Sequence, residues 1–114
     1  MKNNNIVLIT GCAGFIGAAL SKKFICNGFK VFGIDNLNNY YSKNLKISRL
    51  KDLEKSLNGK YNSWQFSQIS IDDKNVLDDF FSEIKPNIVV NLAAQAGVRY
   101  SINNPSEYVS SNLL

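Results

Sequence analysis

One stretch constrains the fold of this chain more than any other. The apolar run Ile6-Val7-Leu8-Ile9 gives way to Thr10-Gly11-Cys12-Ala13-Gly14-Phe15-Ile16-Gly17, and an amphipathic segment follows. An apolar run without alternation reads as a strand covered on both faces. Ile16, Leu20 and Phe24 recur at fourfold spacing, which reads as a helix from about Gly14 to a C-terminal stop at Asn27-Gly28. A strand joined to a helix by a glycine turn is the opening unit of a parallel α/β sheet.

The rest of the chain continues the alternation. Lys30 to Ile34 reads as a second strand with Asp35 at its tip, followed by the polar loop Asn36-Leu37-Asn38-Asn39-Tyr40-Tyr41-Ser42. Ile47, Leu50, Leu53 and Leu57 mark one face of a second helix, with Asn58-Gly59 as its stop. Trp64 to Ile69 is a third strand. Asp72 or Asp73 then caps a helix that shows Leu77, Phe80, Phe81 and Ile84 to the core and breaks at Pro86. Ile88 to Leu92 is a fourth strand, and the segment after Pro105 reads as the first turns of a further helix.

Right-handed crossovers place these strands in the order 3-2-1-4, flanked by helices. The expected fold class is therefore α/β, a partial Rossmann fold. Residues 1–114 would be its N-terminal half, with Ile88 to Leu92 left as an open apolar edge of the kind proteins normally avoid. That edge suggests a fragment or a domain that needs a partner.

Composition narrows the function classes. With 45% apolar and 19% charged residues the chain is globular, and 114 residues make one domain at most. No apolar run approaches the roughly 20 residues that span a bilayer, and the N-terminus lacks the pattern of a signal peptide. No membrane association and a cytoplasmic location are the expectations. Cys12 and Cys26 read as free thiols. The chain has no His, which removes His-based triads and most zinc sites, so no metal is expected.

The net charge of +4 arises between residues 41 and 60. Lys43, Lys46, Arg49, Lys51, Lys55 and Lys60 there outnumber Asp52 and Glu54. A solvated helix face is the plain reading, and attraction of an anionic substrate such as a nucleotide sugar the sharper one. No recognition motif supports nucleic-acid binding.

Two features point to a ligand. In the glycine turn, Gly11 permits the tight turn, Gly14 lets backbone approach a pyrophosphate, and Gly17 allows the helix to pack closely on the strand. The helix N-terminus then offers free N–H groups and the positive end of its dipole. Asp35 lies 18 residues after Gly17, at the tip of the second strand. A carboxylate there accepts hydrogen bonds from the ribose hydroxyls of NAD and repels a 2′-phosphate. Asn36 and Leu37 follow it, with no Arg or Lys to receive that phosphate, so NAD is favoured over NADP.

Three phrases carry a family resemblance: Thr-Gly-x-x-Gly-Phe-Ile-Gly; Gly33-Ile34-Asp35-Asn36-Leu37-Asn38-Asn39-Tyr40-Tyr41; and Asn91-Leu92-Ala93-Ala94-Gln95-Ala96-Gly97-Val98-Arg99-Tyr100-Ser101, with Asn104-Pro105 and Tyr108 beyond. Together they resemble the extended short-chain dehydrogenase/reductase family of NAD-dependent sugar-nucleotide epimerases and dehydratases. The two longer phrases resemble UDP-glucuronate 4-epimerases most closely. The resemblance implies that Phe15 and Ile16 give backbone N–H groups to the diphosphate. It gives Asp35 and Asn36 the adenosine ribose, and Ser70 and Ile71 the adenine ring. Leu92, Ala93 and Ala94 would line the NAD channel, and Ser111 would approach the cofactor. Arg99 would near the sugar, where a guanidinium can pair with a glucuronate carboxylate. The family usually has Asp where this chain has Ser70, which implies weaker anchoring of adenine by roughly 1 kcal/mol.

The same resemblance implies the reaction. A Tyr-x-x-x-Lys dyad removes the sugar 4-hydroxyl proton while hydride passes between C4 and NAD, converting UDP-glucuronate to UDP-galacturonate. None of the five Tyr residues here is followed by Lys four positions on. No catalytic residue is therefore expected in this chain, which alone would be inactive. The UDP-sugar substrate, and a homodimer if there is one, would belong to a full-length enzyme. Decarboxylases of UDP-glucuronate, dehydratases and UDP-glucose 4-epimerases remain alternatives, as does a silent, truncated nucleotide-binding module.

Overall fold

The computed structural model describes residues 5–37, 43–57, 59, 61–93 and 107–110. Five parallel strands form one sheet in the order β3-β2-β1-β4-β5: β1 (Ile6–Thr10), β2 (Lys30–Asp35), β3 (Trp64–Gln68), β4 (Ile88–Asn91) and β5 (Glu107–Ser110). Helices α1 (Phe15–Cys26), α2 (Lys43–Lys55) and α3 (Lys74–Ile84) connect the first four, and a single 3₁₀ turn at Tyr61–Ser63 leads into β3. The 3-2-1-4 order expected from right-handed crossovers is the order observed.

The core explains why the central strands lack alternation. Val7, Ile9, Val31 and Val90 pack on one face with Ile25 of α1 and Leu50 and Leu53 of α2. Leu8, Phe32, Ile34 and Val89 pack on the other face with Leu77 and Ile84 of α3. Both faces of the sheet are covered, so every position of β1 after Ile6 is buried. Each aliphatic side chain so buried contributes roughly 1.5–3 kcal/mol.

The helix boundaries follow from local chemistry. Gly28 ends α1 with φ +90°, and Lys85 adopts the left-handed conformation after α3, just before Pro86. Of the two candidate caps it is Asp73 whose carboxylate accepts the Val76 N–H, at 3.3 Å. In α1 the inward face differs from the expected one. Gly17, Ser21 and Ile25 are buried, Leu20 and Phe24 are half-buried, and Ile16 is 46% exposed. Ile16 lies in the first turn of α1.

The C-terminal part departs from expectation more strongly. In the segment after Pro105 the described residues, Glu107–Ser110, form a strand rather than a helix and pair in parallel with β4, Ile88 opposite Glu107 and Asn91 opposite Ser110. The edge of β4 is thus covered rather than open. A segment with Tyr108 and Val109 at its centre suits a strand, and β4 offers it unpaired N–H and C=O groups.

Candidate functional site

The direction of the chain reverses between β1 and β4: β1 leads outward to β2 and β3, β4 to β5. In open α/β sheets the crevice at the carboxyl ends of such a strand pair is where ligands bind. Here those ends are Thr10 and Asn91, which face each other in register.

Thr10 ties the two ends together. Its hydroxyl is fully buried, donates to Asn91 Oδ1, and accepts the N–H groups of Leu92 (3.1 Å) and Ala93 (3.3 Å). The Thr10 carbonyl also accepts the Leu92 N–H, at 3.1 Å. Leu92 and Ala93 are thereby fixed against the glycine turn. Sequence reasoning gave Thr10 no task; its place at the buried end of an apolar strand, where a hydroxyl needs partners, was the available signal.

The glycine turn is held by sterics and by backbone. Gly11 has φ +72°, and a Cβ there would lie 2.9 Å from Ala93 N and from Leu92 C. The turn is anchored to β2, because the N–H groups of Gly11 and Cys12 both reach Ile34 O, at 2.9 and 3.2 Å. Gly17 does let α1 approach closely, but what it approaches is the turn rather than the strand: a Cβ would come within 2.1 Å of Gly11 O and 2.8 Å of Cys12 Cα. Gly14 is the N-cap of α1 in extended conformation, and its missing Cβ would meet only Gly11 O, at 3.3 Å. No side chain caps this N-terminus and its first turn carries no acidic residue. The N–H groups of Phe15 and Ile16 therefore lie where an anion is favoured. Phe15 is 77% exposed beside them.

Asp35 sits at the end of β2 with its carboxylate almost wholly buried. Oδ2 accepts the N–H of Ala13 at 3.0 Å, and Oδ1 accepts the N–H of Leu37 at 2.7 Å. Lys46 of α2 places Nζ 3.3 Å from Oδ1. Leu37 adopts φ +56°, a conformation a branched side chain rarely holds, and it is buried in the core. Burial of the side chain and the bond to Asp35 together offset that strain. Asn36 is half-buried, and its carbonyl accepts from Gln68, at 3.4 Å.

Two cations of the basic segment are thus not part of a solvated face. Lys46 is buried against Asp35. Arg49 is half-buried, donates to Ala13 O at 3.3 Å, and carries its guanidinium 5.9 Å from the centre of the Phe15 ring. No Lys or Arg directly follows Asp35 in the chain, but α2 folds back over the turn and brings Lys46 to it in space. Both cations were invisible in the chain order, since they are 11 and 14 positions beyond Asp35.

At the third strand, the Ser70 hydroxyl accepts the Asp72 N–H at 3.2 Å, while Ile71 is buried in the core beside α3. Ile71 therefore has little side-chain surface to offer a ring. Gly33 leaves room for the Trp64 ring and for Cys12 Sγ, each within 3 Å of where its Cβ would stand. Cys12 is a buried free thiol, and its pKa is raised well above the ordinary value by burial and then by the charge of Asp35. Cys26 is free and exposed.

Ala94, Arg99 and Ser111 lie outside the described residues. Gly11, Gly14, Phe15, Ile16, Gly17, Asp35, Asn36, Leu92 and Ala93 do come together at the carboxyl end of the sheet. Among the described residues there is no cluster of metal-binding side chains, and no helix is long and apolar enough to cross a membrane.

Comparison with known proteins places this geometry. The family model described as GDP-mannose 4,6 dehydratase matches residues 8–114. Protein CapI of Staphylococcus aureus is 48% identical over 95% of this chain and 30% of its own length. UDP-glucuronate 4-epimerase of Thermodesulfobacterium geofontis is 43% identical over 93% of this chain and 31% of its own length. The chain thus spans about a third of the length of these relatives. Among solved structures, UDP-glucose 4-epimerase from Thermotoga maritima, crystallised with UDP-glucose, superposes with a TM-score of 0.58. It is 34% identical, over 80% of this chain and 25% of that one.

Proposed function

The chain belongs to the sugar-nucleotide epimerase and dehydratase family described by the GDP-mannose 4,6 dehydratase model, and from that premise we propose that it is the NAD-binding part of a UDP-glucuronate 4-epimerase. The observation that carries the cofactor reading is the pairing of an uncapped α1 N-terminus with a buried carboxylate at the tip of β2, joined through the Ala13 N–H. A diphosphate suits the first and a ribose suits the second. The residues present therefore fit a dinucleotide: Gly14 puts no side chain beside the α1 N-terminus, and Leu92 and Ala93 wall the crevice on the β4 side. Solved relatives crystallised with NAD support the same choice, among them UDP-glucose 4-epimerase of Stenotrophomonas maltophila, 26% identical with a TM-score of 0.64.

NAD, when bound, supplies reversible hydride transfer at C4 of the sugar. This chain's share is positional. The N–H groups of Phe15 and Ile16 would hold the diphosphate and Asp35 and Asn36 the ribose, with Ser70 at the adenine end and Ile71 supporting it from the core. Leu92 and Ala93 would line the channel toward the sugar; roles there for Ala94 and Ser111 rest on the family resemblance alone. The choice of a uronic acid rests on identities of 41–43% to proteins named UDP-glucuronate 4-epimerase, those of Thermodesulfobacterium geofontis and Arabidopsis thaliana. It rests also on Arg99, whose guanidinium suits the substrate carboxylate. The proton-transferring Tyr-x-x-x-Lys is not among these residues. We place that step outside this chain, which by itself binds cofactor without turnover.

Calorimetric titration of the chain with NAD tests the reading. Saturable binding that a Gly14→Val variant loses while keeping its fold is the expected result. Its Cβ would enter the diphosphate space while φ −74° accepts any residue. No binding by the folded wild type refutes the cofactor assignment. Turnover of UDP-glucuronate by this chain alone refutes the division of labour.

A further inference from the structure

Folding places a cation where the sequence shows none. Lys46 Nζ lies 3.3 Å from Asp35 Oδ1, with side-chain exposures of only 10% and 4% for the pair. We infer that Lys46 is a specificity-determining residue of the dinucleotide site: the Lys46–Asp35 pair, rather than Asp35 alone, sets how strongly the site prefers a ribose 2′-hydroxyl over a 2′-phosphate. This rests on Asp35 being the ribose acceptor.

The argument is a count of hydrogen-bonding capacity. An ionised carboxylate offers about four acceptor sites. Ala13 N–H, Leu37 N–H and Lys46 Nζ occupy three of them. Two vicinal ribose hydroxyls cannot both be served by what is left. The second must turn to another group, and the Lys46 ammonium has two protons beyond the one given to Asp35. An ammonium donates to a hydroxyl oxygen, and more strongly to a phosphate oxygen. An isolated Asp rejects a 2′-phosphate by repulsion between like charges. A neighbouring ammonium offsets that repulsion, and the shielding of this pair from solvent limits screening by salt. Arg49 does not substitute for Lys46, because it is engaged at the other side of the turn with Ala13 O and Phe15.

The test is the affinity of the full chain for NAD and for NADP, measured by calorimetry on wild type, Lys46→Met, Lys46→Gln and Lys46→Arg, with circular dichroism to confirm folding. Lys46→Met should weaken NADP more than NAD by at least about tenfold, and Lys46→Arg should hold the ratio within about threefold of wild type. Lys46→Gln is neutral yet able to donate to Asp35. It should shift the ratio as Met does, and it carries the test if the Met variant does not fold. An unchanged NAD:NADP ratio in the folded neutral variants overturns the inference while leaving the cofactor site intact. Wild type that binds neither dinucleotide overturns the ribose reading and the inference together.

Discussion

Replacing Gly17 by Ala sets two principles against each other. Helix propensity favours the change by about 1 kcal/mol, since Ala is the best helix former and Gly among the worst. Packing opposes it. The new Cβ would stand 2.1 Å from Gly11 O, 2.8 Å from Cys12 Cα and 2.9 Å from Gly11 C, all backbone atoms of a turn pinned to Ile34 O. Relief requires α1 to withdraw by roughly 1 Å, and a gap of that size forfeits a quarter to a half of each dispersion contact along the face of Ser21 and Ile25. Overpacking of a buried contact costs about 1–3 kcal/mol, and rigid backbone on both sides puts this one at the top of that range or beyond. The net expectation is a loss of about 2 kcal/mol, or a fall in Tm of roughly 8 °C for a domain of this size. Urea denaturation followed at 222 nm measures it directly. A Gly17→Ala variant as stable as wild type would refute the packing argument, because propensity would then have decided the outcome.

Other expectations follow from the same contacts. Thr10→Val keeps the shape of a buried side chain but leaves Asn91 Oδ1 and the Ala93 N–H without the hydroxyl; a loss of about 1–3 kcal/mol in urea denaturation is expected, and Thr10→Ser should recover most of it. Iodoacetamide should modify Cys26 alone in the native chain at neutral pH, since burial and the Asp35 charge hold the Cys12 thiol protonated; peptide mass mapping reads the two sites separately.

Much of the sheet could be read from the chain because its signals are local. Unbroken apolar runs announced strands buried on both faces, and Asn27-Gly28, the Asp72-Asp73 pair and Pro86 announced helix ends. The β3-β2-β1-β4 order followed from the handedness of crossovers. Ile16 misled, because fourfold spacing defines a stripe on a helix but not which of its positions are covered. The segment after Pro105 misled because a strand edge competing for it is a property of the sheet, not of Glu107 to Ser110.

The sequence by itself determined that a glycine turn follows the first strand and that an acid stands at the tip of the next, since both are fixed by chain connectivity. Only the tertiary structure decided what surrounds them. Lys46 reached Asp35, Arg49 reached the turn, and Thr10 reached Asn91 of β4, across separations of 11, 36 and 81 residues. Such contacts form because α2 and β4 are packed by their apolar faces, which align whatever polar groups those elements carry. The polar pairings that shape the site are thus set by hydrophobic packing at a distance, and no local reading of the chain contains them.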